Sequence, residues 1–322
     1  TGGEGADQFL IAASGENGWD TIADFQQNID KVKIPNEISI NEIQFQSDNS
    51  STVIFRDGEV LALLNNPGGA FSSQDLTNEE IFQNYNQEVD NNTLRIQSNS
   101  NDDLAYANRG IAYYNLGEHQ KSLEDFTQAI RINPDSQWYH NRGVSHFYLG
   151  NYQQSIEDYT QAIRLSPDNA ETYRDRGLSY NALGDTNSAI EDLTQAIRLN
   201  PDYSSAYFYR GYRYQNLENY QQSIEDFTQV IRLTPNDANA YNNRGYSYYQ
   251  SGEYQLAIQD YTEAIRLGSK YLPNLYYNRG IAYEAIGDRN TARADLETAL
   301  SWYEVLQNPF ASEIRERISS LG

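Results

Sequence analysis

The chain has 322 residues, a formal net charge of −22, 27 Tyr, and neither Cys nor Met. Such an acidic balance argues against nucleic acid or an anionic membrane as the main partner, because phosphate attraction needs basic patches; it suits bound cations or a basic partner. Without cysteine there is no disulfide framework, thiol nucleophile or cysteine metal site, and no stretch approaches a membrane-spanning length.

The length is sufficient for two or more domains, and the acid is unevenly spread: residues 1–100 hold 16 Asp and Glu against Lys31, Lys33, Arg56 and Arg95. No secretory leader is visible, and the lack of any Met is the pattern of a piece of a longer chain.

The first element, Gly2-Gly3-Glu4-Gly5-Ala6-Asp7-Gln8-Phe9-Leu10, fits the nonapeptide G-G-x-G-x-D-x-U-x. Gly2, Gly3 and Gly5 allow a tight loop with inward carbonyls, and Asp7 adds a hard carboxylate, the ligand chemistry of Ca2+. A poorer copy follows with Asn17, Gly18 and Asp20 at the matching places, but with Glu16 where glycine is wanted and an irregular step of 13. Together with Asp24-Phe25 and Asp30–Ile34, this stretch resembles the last turn of an RTX (hemolysin-type) calcium-binding β-roll. The resemblance implies bound Ca2+ and export, hence a secreted or cell-envelope location. A plain Gly-rich loop without metal, in a cytoplasmic adaptor, is the competing expectation.

Residues 41–65 read as strands. Asn41–Gln46 alternates polar and apolar, and Ser51–Phe55 and Glu59–Leu64 flank Asp57-Gly58, a hairpin signal. They are expected to form a small β cap over the open end of the roll, since an uncovered sheet edge invites aggregation. A short helix is expected over 76–85, closing a β domain at 1–85. Residues 86–101, with five Asn, are expected to be a linker.

From Asp102 the sequence repeats itself. Anchor glycines at Gly110, Gly143, Gly177, Gly211, Gly245 and Gly280 are spaced 33, 34, 34, 34 and 35 residues apart. Four before each stands a tyrosine (Tyr106, Tyr139, Tyr173, Tyr207, Tyr241, Tyr276), and twelve after each a small residue (Ser122, Ser155, Ala189, Ser223, Ala257, Ala292). Sixteen after each comes a large apolar or aromatic residue: Phe126, Tyr159, Leu193, Phe227, Tyr261 or Leu296. A period of this length with two helical patterns per unit marks stacked helix pairs. These spaced positions resemble the tetratricopeptide repeat (TPR) family. The resemblance implies a mainly α, right-handed solenoid of six helix pairs over 102–307, sealed by a capping helix over 308–322 with Phe310, Ile314 and Ile318 inward.

One departure from the family pattern recurs in all six repeats. The position before the glycine, commonly apolar, is Arg109, Arg142, Arg176, Arg210, Arg244 or Arg279, and sixteen residues later stands Asp125, Asp158, Asp192, Asp226, Asp260 or Asp295. An arginine between helices requires a carboxylate, so each pair is expected to tie the two helices of one repeat.

No nucleophile elbow, phosphate loop or His-Glu-x-x-His motif occurs, and the three histidines lie inside repeats, so a non-catalytic role is expected. TPR resemblance implies a groove lined by first helices that holds a protein or peptide partner, with self-assembly a further option. The lining offsets give Asn108, Asn141, Asn243 and Asn278, amides able to clamp a peptide backbone, then His140, Arg174, Phe208, Tyr277, Tyr212, Tyr246, Phe147 and Tyr249. Their rings offer contact area with few rotamers to freeze. Ala107 and Ile111 stand where TPR co-chaperones carry clamp residues, which disfavours a chaperone-tail receptor. The alternatives are an assembly module of a secreted enzyme whose catalytic part lies upstream, and a cytoplasmic TPR adaptor without metal.

Overall fold

The computed structural model describes residues 85–268, 272–305 and 307–321 in full. Upstream it gives the backbone of short strand segments β1 (Gln8–Leu10), β2 (Asp20–Ile22), β3 (Lys31–Lys33), β4 (Gln44–Ser47), β5 (Ser51–Arg56) and β6 (Glu59–Asn65). Segments β5 and β6 pair antiparallel with Arg56 opposite Glu59. Their side chains, and with them the β-roll, the β cap and the calcium loops, lie outside the described residues.

The residues described in full are mainly helical. Those of the compact unit Thr1–Pro201 contain α1 (Glu79–Ser98), α2 (Asp103–Asn115), α3 (His119–Ile132), α4 (Ser136–Tyr148), α5 (Tyr152–Leu165), α6 (Ala170–Ala182) and α7 (Thr186–Leu199). The unit Asp202–Gly322 holds α8 (Ser204–Asn216), α9 (Tyr220–Leu233), α10 (Ala238–Gln250), α11 (Tyr254–Arg266), α12 (Leu272–Ala285), α13 (Arg289–Val305) and α14 (Phe310–Ser320). Within each unit the helices pack as pairs, and successive pairs stack.

Local chemistry sets the boundaries. Asp102, Asp135, Asn169 and Asp237 each accept a hydrogen bond from a backbone N–H of the first turn that follows, satisfying donors with no partner inside the helix. Between paired helices a residue in the left-handed region turns the chain, for example Gly184 at φ 81°. In the fourth repeat Glu218 takes that conformation at φ 59° with a side chain to accommodate.

The core of each pair is the anchor glycine against the large residue sixteen on. Phe126, Tyr159 and Leu193 in the first unit are each 1% exposed, and Phe227, Tyr261 and Leu296 are as well covered in the second. The small residues twelve after the glycine are fully buried, and their hydroxyls, where present, are paired: Ser122 with Ser145 at 3.0 Å, Ser155 with Ser179 at 3.0 Å, Ser223 with Ser247 at 2.9 Å. A Cβ added at Gly143 would sit 2.8 Å from the Tyr159 ring, against 3.2 Å from Phe126 at Gly110. Gly143→Ala is therefore expected to destabilise by about 1–3 kcal/mol despite alanine's better helix propensity, and Gly110→Ala by less. Urea unfolding followed by circular dichroism ranks the two; equal effects would remove the packing explanation.

All six arginine–aspartate pairs form, each as a two-bond fork. In repeat one Arg109 Nε and Nη2 donate to Asp125 at 2.8 and 2.7 Å, and Arg279 and Asp295 close the last repeat at 2.7 and 2.8 Å. The sequence reading missed two further contacts. A threonine hydroxyl on the preceding helix accepts from the remaining arm, as Thr127 does for Arg142 at 3.3 Å and Thr160 for Arg176 at 3.0 Å. The tyrosine three residues before each arginine also offers its ring face, 5.6 Å from the Arg142 guanidinium carbon.

The expected linker is a helix. Helix α1 runs to Ser98 and docks on α2: Thr93 Oγ1 accepts from Arg109 at 3.0 Å, as Thr127 does one repeat later, and Arg95 pairs with Asp102 at 2.9 Å. Asparagine lowers helix propensity, but burial against α2 overrides it; Asn92 is 8% exposed and donates to the Glu88 carbonyl. At the other end α14 buries Ile314 completely and packs Phe310 and Ile318 inward, as expected. Arg317 on the same helix reaches Glu284 at 2.7 Å.

Candidate functional site

The first helix of each repeat presents one face away from its partner helix, and the expected partner-binding residues divide there into open and covered sets. Asn108 is exposed, and the position one past the anchor glycine is open in three repeats: Ile111 is 38% exposed, Tyr212 42% and Tyr246 40%. Asn141 and Asn278 are half-buried, Asn141 accepting from Gln137 Nε2 at 2.9 Å. Asn243 spends its amide on the Asn239 carbonyl of its own helix, at 2.8 Å. Next to it Gln215 donates to the Asn243 carbonyl at 2.6 Å and to Ser247 at 2.8 Å, a buried link between α8 and α10.

Three expected lining residues are packing residues. His140 is 6% exposed; Phe208 stands edge-on to Phe227 at 5.4 Å; Tyr277 stands edge-on to Phe310 at 4.9 Å under the capping helix. The position three before the glycine turns toward neighbouring helices, where Ala107 shows the smallest occupant, fully buried. Tyr249 leans on Tyr254 at 5.3 Å and remains half-buried.

The sequence reading missed an aromatic cluster at one end of this face in the first unit. Tyr114 and His119 both pack on Tyr148, with ring centroids 5.5 and 4.9 Å away, and Tyr148 is itself 58% exposed. Phe147 continues the cluster to Tyr152 at 5.3 Å. Burial, then the hydrogen bond with Tyr148, push the Tyr114 phenol well above its ordinary range, so it stays protonated. Offsets of four from the glycine are common to all repeats, so the signal lay in Tyr114 and Phe147 sharing one column.

A second group lies across α4 and α6. His140 Nδ1 is 3.1 Å from Thr172 Oγ1, and its Nε2 is 3.6 Å from Asp175 Oδ2. Arg174 pairs with Asp175 at 2.7 Å and with Glu171 at 3.1 Å. Burial raises the Asp175 carboxyl to about 6, Arg174 opposing and Glu171 adding to the rise; burial lowers His140. The folded value lies above the unfolded one, so the loss of stability is absent below the ordinary carboxylate range, near 4, and complete above about pH 6. Asp175→Asn is expected to stabilise the first unit by about 1–3 kcal/mol at pH 7, with no gain near pH 4. Melting at both pH values checks this, and a pH-independent difference would refute it.

An open recess of 470 Å³ beside Tyr139, Arg142, Glu157 and Asp158 holds an ion pair already described.

Comparison with curated proteins gave no match. Among solved structures, the C-terminal part of a TPR repeat-containing protein from Cytophaga hutchinsonii is 19% identical over 73% of this chain and 97% of its own, with a TM-score of 0.61. PilF of Pseudomonas aeruginosa is 19% identical over 67% of this chain and 97% of its own, with a TM-score of 0.57. A chain of the APC/C hetero-tetramer Cut9–Hcn1 is 19% identical over 73% of this chain and 46% of its own, with a TM-score of 0.55. At such identities the likeness is one of fold. Models of the tetratricopeptide repeat match residues 104–136, 143–184, 177–218, 210–271 and 273–305, together more than half of the sequence. These stretches cover the helix pairs from α2 to α13, and the chain belongs to the tetratricopeptide repeat family.

Proposed function

We propose that the chain is a non-catalytic interaction scaffold that holds an extended segment of a partner protein along the faces of its first helices. The observation that carries this is the open apolar residue one past the glycine, Ile111 in the first unit and Tyr212 and Tyr246 in the second, while the offset three before the glycine is taken up by internal packing. Exposed rings of that kind supply much of the energy in protein contacts, and Asn108, three residues before Ile111 on the same helix, adds a donor and an acceptor for a peptide backbone. The acidity of the chain favours a basic partner. Panning a displayed peptide library on the purified protein, then measuring selected peptides against the Tyr212→Ala/Tyr246→Ala variant, tests the reading. Loss of about tenfold or more in affinity with unchanged melting is expected. Undiminished binding by that variant, or no enrichment at all, would remove the face as the site.

The N-terminal motif supports a second part of the proposal. Gly2, Gly3, Gly5, Asp7, Asn17, Gly18 and Asp20 match a calcium loop in residue type, and a calcium-stabilised segment accords with a secreted or cell-envelope protein. Binding to the fold must raise its stability. Calcium titration followed by melting is expected to raise the midpoint, and the Asp7→Ala/Asp20→Ala variant to abolish the rise. An unchanged midpoint in excess calcium would leave a cytoplasmic adaptor as the better reading.

A further inference from the structure

We propose that His140, Glu171 and Asp175 form a binding site for a divalent transition metal, Zn2+ in the first instance, that clasps α4 to α6. One ligand atom from each of the three side chains lies within 4.8 Å of the others. The His140–Asp175 contact, at 3.6 Å, is too long for a hydrogen bond. It matches the roughly 3.3 Å that separates two ligands on one tetrahedral ion whose bonds are near 2.0 Å. Glu171 is exposed and held to Arg174 at 3.1 Å, so its carboxylate can swing the remaining distance inward from the first turn of α6.

Three further features fit a ligand set better than a structural ion pair. His140 is 6% exposed, and in the tautomer that donates from Nδ1 to Thr172 Oγ1 its Nε2 lone pair points at the Asp175 carboxylate. Two electron-rich atoms facing each other in a buried place are mutually unfavourable until a cation stands between them. A ring nitrogen fixed from behind is also how metal-binding histidines are held. Arg174 leaves one oxygen of Asp175 open. It contacts Asp175 through Oδ1, leaving Oδ2 toward the histidine, and the two carboxylates with one guanidinium carry a net charge of −1 to set against the dication.

The choice of metal follows from the donors. One imidazole with two carboxylates suits zinc and its neighbours, whereas Ca2+ and Mg2+ take oxygen alone. Bound there, the ion joins the first helices of the second and third repeats and fixes the spacing of Asn141 and Asp175, whatever that face binds.

The test uses the full chain freed of metal by chelator, titrated with ZnCl2 by calorimetry and by melting, with CaCl2 and MgCl2 in parallel. Saturable uptake with a raised midpoint is expected, and CaCl2 and MgCl2 should not displace the zinc. Glu171→Gln changes an exposed residue and leaves the fold intact; it is expected to weaken zinc binding at least tenfold, and His140→Gln to abolish it. Thr172→Val, which removes the hydroxyl behind the ring, is expected to weaken it about 10–100-fold. Absence of zinc uptake by the wild type overturns the proposal, as does uptake by Glu171→Gln and His140→Gln equal to that of the wild type. Equal uptake would place the metal elsewhere on the acidic surface.

Discussion

Arg244→Leu is expected to destabilise the second unit by about 3–5 kcal/mol, among the largest effects of any single substitution in the repeats. The guanidinium donates twice to Asp260 at 2.8 Å and once to Thr228 on the preceding helix at 3.1 Å, between the rings of Tyr241 and Tyr248. Its loss leaves a carboxylate that is 5% exposed with no counter-charge. The paired double variant Arg244→Leu/Asp260→Leu is expected to recover most of the stability, because the pair itself is close to neutral. Burial outweighs Arg244 at Asp260 and raises its carboxyl, which costs the folded form part of what the pair contributes. That cost is absent below the ordinary carboxylate range and grows as pH rises through it. Urea unfolding of both variants decides the matter. A single variant within about 1 kcal/mol of wild type, or a double variant no better than the single, would show that the fork does not hold the helices together.

The reason for an ionic pair in every repeat is register. An apolar residue before the glycine fits against its neighbours at several rotations of the helix, whereas a two-bond fork with a third arm on the preceding helix fits at one. Arg142 and Arg176 in the first unit, and Arg244 and Arg279 in the second, therefore fix their own helix pairs and, through threonine, the stacking of each pair on the helix before, as Arg176 does with Asp192 and Thr160.

Phe126→Ala should cost about 3–5 kcal/mol in the first unit, through the cavity left among Ala107, Ala129, Tyr106 and Trp138. Phe126 is 1% exposed, and its ring edge lies within 3.2 Å of where a Gly110 Cβ would stand, so the glycine beside it leaves the space unfilled. In a stacked array each repeat relies on its neighbours, so the loss is expected to spread to α1 and α4 as faster amide exchange while Tyr114 and Asn108 stay in place. By contrast Tyr212→Ala removes a ring 42% exposed and is expected to leave stability within about 0.5 kcal/mol. An effect of Phe126→Ala below about 1 kcal/mol, or a large one of Tyr212→Ala, would reverse the assignment of core and open face.

Much of this was written in the sequence. The period, the glycine–ring contact, the buried small residue and the arginine–aspartate pair all followed from spacing, because each is a contact between residues at fixed separation on two adjoining helices. The capping helix was legible for the same reason, through Phe310, Ile314 and Ile318 at steps of four. The Asn-rich stretch before Asp102 read as a linker because local propensity is all a sequence displays there; only docking on α2 makes it helical. Likewise, offset from a glycine says which side of a helix a residue occupies but not what covers that side. Tertiary packing alone buried His140, roofed Tyr277 with Phe310, and left Tyr212 and Tyr246 open. It alone brought His140 to Asp175, 35 residues away in sequence, because their approach depends on how two first helices stack and on no spacing within one repeat.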